Sequence, residues 1–204
     1  MGSREGQNRV VGAGAALIGA ALLTVFAATE AALGPAQDLS NGGAGEPGRI
    51  ALSISLILGA FAAIAVCLLM LRTMLRHTGD AAWPSVALAL AALLFMLSIA
   101  LLLIGQLTDW WPGELLGIVN LPGLVLLVLG WFVVGRASLT TAGAARLGIL
   151  VVTQAALAAV LFALSAVGGP IVLLIEAAFI VGWILVAAWI WSASAALGSA
   201  APTT

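Results

Sequence analysis

The sequence predicts an all-α, polytopic membrane protein, a bundle of six transmembrane helices, and three observations carry that prediction. Of the 204 residues, 63% are hydrophobic and 7% charged, with mean hydropathy +1.23, so too few polar groups remain to cover a water-soluble domain. Six apolar stretches reach the ~20 residues needed to cross roughly 30 Å of hydrocarbon. The segments between them collect Gly, Pro, Asn and Asp, which punctuate a chain at turns.

The first span, about 10–33, follows Arg4 and Arg9. Its competing reading is a cleaved signal peptide with "VFAA" as the small-residue cleavage site, but the run from Val10 to Ala28 exceeds a signal core of ~7–15 residues. A retained helix is therefore expected. After the long loop "GPAQDLSNGGAGEPGR" comes the second span, about 50–71, whose polar groups are Ser53, Ser55 and Cys67. "RTMLRHTGDAAWP" leads to the third, about 84–107, which closes on Gln106, and "TDWWPGE" to the fourth, about 115–135. That helix opens "GIVNLPG", where Pro122 removes a backbone donor and crowds the preceding turn, so a local bend beside Asn120 is expected. "GRASLTTAGAAR" precedes the fifth span, about 147–167, with Gln154 inside it, and "GGP" the sixth, about 170–191, with Glu176 inside it. With one long loop only, residues 9–192 read as a single six-helix transmembrane domain between short cytoplasmic tails at 1–8 and 193–204. Small-residue spacings, Gly12, Ala16 and Ala20 in the first span and Ala178 and Gly182 in the sixth, suit close backbone approach in lipid or plain packing. No register supports an internal three-plus-three repeat of the kind found in transporters.

Arginine placement sets the expected orientation, because cations near span ends are retained on the cytoplasmic side. With the N-terminus inside, Arg4, Arg9, Arg72, Arg76, Arg136 and Arg146 fall on cytoplasmic segments and Arg49 alone lies outside. Both termini are then cytoplasmic. The cations are all Arg and there is no Tyr, a bias that fits a GC-rich bacterial genome and hence the bacterial cytoplasmic (inner) membrane.

Composition also removes whole classes of chemistry. A lone Cys67 excludes an intramolecular disulfide and Cys-based metal or iron–sulfur sites, and a lone His77 excludes bis-histidine haem ligation. The absence of Lys removes Schiff-base catalysis. No basic stripe suggests nucleic acid, and no phosphate-cradling Gly-rich loop with Lys is present. No cofactor and no metal are expected.

The predicted orientation puts Glu30, Asp38, Glu46, Asp109, Glu114 and Glu176 on the outer half. Glu30 and Glu176 differ from the rest because they lie within apolar helices, where a carboxylate costs roughly 2.5–3.5 kcal/mol on insertion scales. Glu176 comes six residues after Pro170, ~9 Å along a helix at ~1.5 Å per residue, and Glu30 comes three residues before its span ends, so both reach the same outer third of the bilayer. Gln106, Asn120 and Ser165 fall near that level, with Trp110 and Trp111 above it. Two helical turns deeper on the Glu176 face stands Trp183.

The expected ligand-binding set is therefore Glu30, Gln106, Asn120, Glu176 and Trp183. Each has a plainer reading beside the functional one. Glu176 could be a hydrogen-bonded tie between helices, Glu30 an interfacial acid reaching water, and Trp183 core packing. Trp110 and Trp111 on one side, and Trp83, Trp189 and Trp191 on the other, read as aromatic belts. Gln154, near mid-membrane, must find a partner on another helix.

The stretch "TVFAATEAAL", a loop of about sixteen residues and then "RIALSISLILGAFAAIAVCLLMLRTML" resembles a widespread bacterial family of six-helix integral membrane proteins of unknown function. The resemblance covers the first half of the chain and rests on helix spacing and on an acid at Glu30. The acid commonly found in that family's second helix is absent here, so the resemblance implies a fold and little mechanism.

Three functions stay open at this point. The first is binding or transport of a small or lipophilic molecule against Glu176 and Glu30, similar in size and topology to the substrate-capturing subunits of vitamin transporters and needing a membrane-protein partner for energy. The second is a metal-free enzyme, a cyclase or isomerase acting on a prenyl-type substrate, in which Glu176 donates a proton, Glu30 or Asp109 is its neighbour and Trp183 steadies the cation. Membrane-embedded terpene cyclases look like this in outline, although their Trp-Glu pairing is absent here and they usually have seven helices. The third is a structural subunit in a larger complex or a homo-oligomer. The lipid bilayer is the expected surroundings in all three, and a prenyl lipid is a candidate ligand in the first two.

Overall fold

The computed structural model describes residues 2–33, 47–75, 81–108, 112–141, 144–164 and 170–198. Among them the regular structure is entirely helical: α1 (Gly2–Leu33), α2 (Pro47–Leu75), α3 (Trp83–Thr108), α4 (Gly113–Thr140), α5 (Ala145–Leu164) and α6 (Pro170–Gly198). All six expected spans are present. Five helices are long and apolar enough to cross a membrane, and the apolar stretch Ala145–Leu161 of α5 is shorter. The protein is a multi-pass integral membrane protein.

Several helices outrun their apolar spans. α1 starts at Gly2, α4 runs past Arg136 to Thr140, and α6 continues past Trp191. Arg, Ala, Leu and Gln are all good helix formers, so nothing in these flanks stops a helix where hydrocarbon ends. The starts have local causes. Pro47 and Pro170 open α2 and α6, a position that needs no N–H donor and suits the fixed φ of proline. Glu114 lies in the first turn of α4, where a negative charge complements the helix dipole. α4 continues unbroken through Pro122.

Each helix meets its neighbours in chain order, and α6 returns to meet α1, so the six form a closed ring; α2 also touches α4 across it. That makes α2 the hub. Half of its most apolar window is buried, against a third or less in the other four long spans. Its inward residues include Ala60, Ile64, Ala65, Leu68 and Leu71. On α6 the buried positions are Phe179, Trp183, Val186, Ala187 and Ile190, a helical stripe of one face.

The outward faces carry Leu93, Leu107, Ile118, Leu121, Phe132 and Leu174, all largely exposed. In water such a surface would drive association; against lipid tails it is the natural solvent-facing side. Lipid also removes the hydrophobic drive between helices, leaving close packing to hold them. The small residues of α1 serve this: Ala13, Ala16 and Ala20 are buried, and a side chain on Gly12 would meet Met70 Cβ of α2 at 3.1 Å. At the α4–α5 hairpin a β-carbon on Gly148 would come within 2.6 Å of the Leu139 backbone nitrogen, so only glycine lets these helices meet.

Candidate functional site

Most hydroxyls inside the helices are accounted for locally. Thr24, Thr29, Thr108 and Ser138 each donate to the carbonyl four residues earlier at 2.8 Å. These bonds satisfy the side chain within its own helix and leave nothing for a ligand. The residues that reach across helices are the informative ones.

Glu30 and Glu176 do meet. Glu30 continues the inward face of α1, Glu176 continues the inward stripe of α6 one turn before Phe179, and both are half-buried. They are near enough for the charge on Glu30 to act on Glu176, across the α1–α6 contact that closes the ring. From α2 the buried Ser53 hydroxyl donates to Glu30 Oε1 at 3.0 Å. One turn toward the helix start on the same face lies Arg49, half-buried, since residues four apart align along a helix. Two carboxyls from α1 and α6, with a hydroxyl from α2 and a guanidinium one turn away on α2, make a polar junction in an apolar bundle. Such a group can hold a cation or a hydrogen-bond donor between two acids, or it can lock three helices in register.

The other predicted residues fall elsewhere. Asn120 accepts a bond from the Ser98 hydroxyl through Oδ1 at 2.6 Å, at the α3–α4 contact. Gln106 is exposed, with its Oε1 placed where it would meet a side chain at Gly48 of α2 at 3.7 Å. Asp109, Trp110, Trp111, Ser165, Asp38 and Glu46 lie outside the described residues. Of the belt tryptophans at the arginine-rich end, Trp83 and Trp191 are exposed and Trp189 packs partly against the core.

No family profile matches the chain, and neither a curated protein nor a solved structure does.

Trp183 is fully buried and belongs to a second cluster. Its ring lies 5.4 Å from that of Trp131 on α4 and 6.3 Å from that of Phe179, nearly edge-on to the latter, while Trp131 and Phe179 are 6.2 Å apart. Tilted and edge-on pairs at these distances are the favoured aromatic arrangement, each adding about 0.5–1.5 kcal/mol beyond burial. Trp131 donates its indole N–H to the Val151 carbonyl of α5 at 2.8 Å. One turn along α5, the Gln154 amide presses on the backbone of Gly182, filling the space a side chain there would need. Large rings thus join α4 and α6 across the interior of the ring.

Sequence reasoning missed Trp131, Ser53 and Ser98 as partners. Trp131 sits beside an equally apolar Phe132, and nothing in "LGWFVVG" tells which faces inward. Ser53 and Ser98 carried a weak signal, being hydroxyls in otherwise apolar spans.

Proposed function

We propose that the protein binds a small molecule carrying a cationic or hydrogen-bond-donating group at the Glu30–Glu176 junction, on the outer side of a bacterial cytoplasmic membrane. One observation carries this reading: two carboxyls, from the first and the last helix, converge on the inward faces of an otherwise apolar bundle. Bringing two acids together costs free energy, since like charges oppose each other's ionisation, and a cation or donor between them offsets that cost. The orientation rests on the arginines: among the described residues Arg9, Arg72, Arg136 and Arg146 belong to the end opposite the acids, which the retention of cations assigns to the cytoplasm.

A second reading, in which the acids are register ties within a structural subunit, is favoured by the Ser53–Glu30 bond. The enzyme reading draws less support. Trp183, its cation-stabilising ring, has its surroundings filled by Trp131 and Phe179.

Native mass spectrometry of protein released gently from membranes separates these readings. Binding predicts a small-molecule adduct on the wild type that Glu176→Gln loses while thermal stability and helicity are kept. An adduct-free wild type, together with a Glu176→Gln variant of unchanged stability, would sink the binding reading and favour the tie.

A further inference from the structure

We propose that the junction of α4, α5 and α6 is a second site, which takes a hydroxyl group, from water or from a lipophilic alcohol, between the Gln154 amide and the Trp183 indole N–H. It is separate from the acid junction, two helical turns or ~10 Å away along α6.

The two indoles of this junction share surroundings but not hydrogen bonding. Trp131 Nε1 is bonded to the Val151 carbonyl, whereas Trp183 Nε1, in contact with the same ring, is buried with no hydrogen-bond partner. Gln154 Oε1 is likewise buried and unpartnered. Gln154 is held against Gly182, the residue next to Trp183, and follows Val151 by one turn, so the orphan donor and the orphan acceptor border the same junction. Gln154 stands ~14 Å into α5 at ~1.5 Å per residue, near mid-membrane, where bulk water does not reach and an unsatisfied polar group costs about 1–3 kcal/mol. Nearly all buried polar groups in native proteins have a partner, a buried water among them.

The chemistry selects the partner. Trp183 offers a donor only, so the ligand must accept. Gln154 offers an acceptor, or a donor if its amide is turned over, because the two orientations differ only in which atom is called nitrogen. A hydroxyl accepts and donates, and so satisfies Trp183 together with either amide orientation. A carbonyl or an ammonium satisfies only one arrangement or neither. The apolar walls of Trp131 and Phe179 admit a hydrocarbon chain behind the hydroxyl.

The test is indole ¹⁵N–¹H spectroscopy of the detergent-solubilised protein, with the Trp183 signal assigned by its loss in Trp183→Phe, or by elimination through the other six Trp→Phe variants if that one does not fold. Exchange of the Trp183 N–H with water, absent for Trp131, supports a water hydroxyl. Saturable movement of the Trp183 signal by farnesol, and not by dodecane, supports an alcohol. Gln154→Leu is expected to weaken the farnesol effect by about tenfold, the equivalent of one hydrogen bond, or to remove the water exchange. A Trp183 signal with neither response, one that moves equally with dodecane, or one indifferent to Gln154→Leu overturns the site.

Discussion

Two junctions lie along one helix, and they are built in opposite ways. At the outer end of α6, Glu176 meets Glu30 and the Ser53 hydroxyl, all small or flexible groups held by charge and hydrogen bonding. Two turns inward, Trp183 meets Trp131 and Phe179, large rings fixed by shape, with Gln154 wedged against Gly182. The first can change its occupant without moving the backbone. The second cannot tolerate a methyl group in the wrong place. Adaptability therefore belongs to the acid junction and rigidity to the aromatic one, an arrangement suited to a bundle that presents one fixed frame and one chemically responsive end.

The largest expected effect would break the rigid side of this contrast. Gly182→Ala puts a β-carbon where the Gln154 amide stands, and overpacking of this kind costs about 1–3 kcal/mol. Thermal unfolding in detergent should show the loss, and adding Gln154→Ala should restore most of it, a coupling that two independent sites would not give. A Gly182→Ala variant as stable as the wild type would mean that Gln154 is not wedged at all.

A smaller effect separates the two indoles. Trp131→Phe removes a ring and a buried hydrogen bond, while Trp183→Phe removes a ring whose N–H has no protein partner. The difference between their stability losses should be about 1 kcal/mol, the net value of one hydrogen bond, with Trp131→Phe the worse. Equal losses would mean that the Val151 carbonyl contributes nothing.

At the acid junction Ser53→Ala should cost only about 0.6 kcal/mol, the average for hydrogen bonds between membrane helices. Ser98→Ala, which breaks the bond to Asn120, should cost a similar amount, about 0.6 kcal/mol on the same scale, and should leave any adduct bound at Glu176 unchanged. Loss of the adduct in Ser98→Ala would join Asn120 to the acid site after all.

Much of this fold was legible, because hydropathy counts spans and the rise of a helix converts residue number into depth. That is why Glu30 and Glu176, 146 positions apart, were expected at one level and are found acting on each other. Depth alone does not tell which helices are neighbours. Asn120 was expected near Glu176 on depth, but the order of helices around the ring turns it toward Ser98 of α3. Rotation is equally hidden when a helix is apolar on every side, as α4 is, so Trp131 left no trace of its inward position. Its bond to a backbone carbonyl has no sequence signature, since every residue carries one.

The closure of the ring by α6 against α1 also sets a timetable. In a chain made at ~5–20 residues per second, Glu176 emerges roughly 10–30 s after Glu30, so the first helix enters the bilayer long before its last partner exists. Ser53 arrives only 23 residues after Glu30 and gives that carboxyl a companion during the wait. The earliest acid of the protein is thereby chaperoned by its second helix until synthesis of the sixth completes the circle.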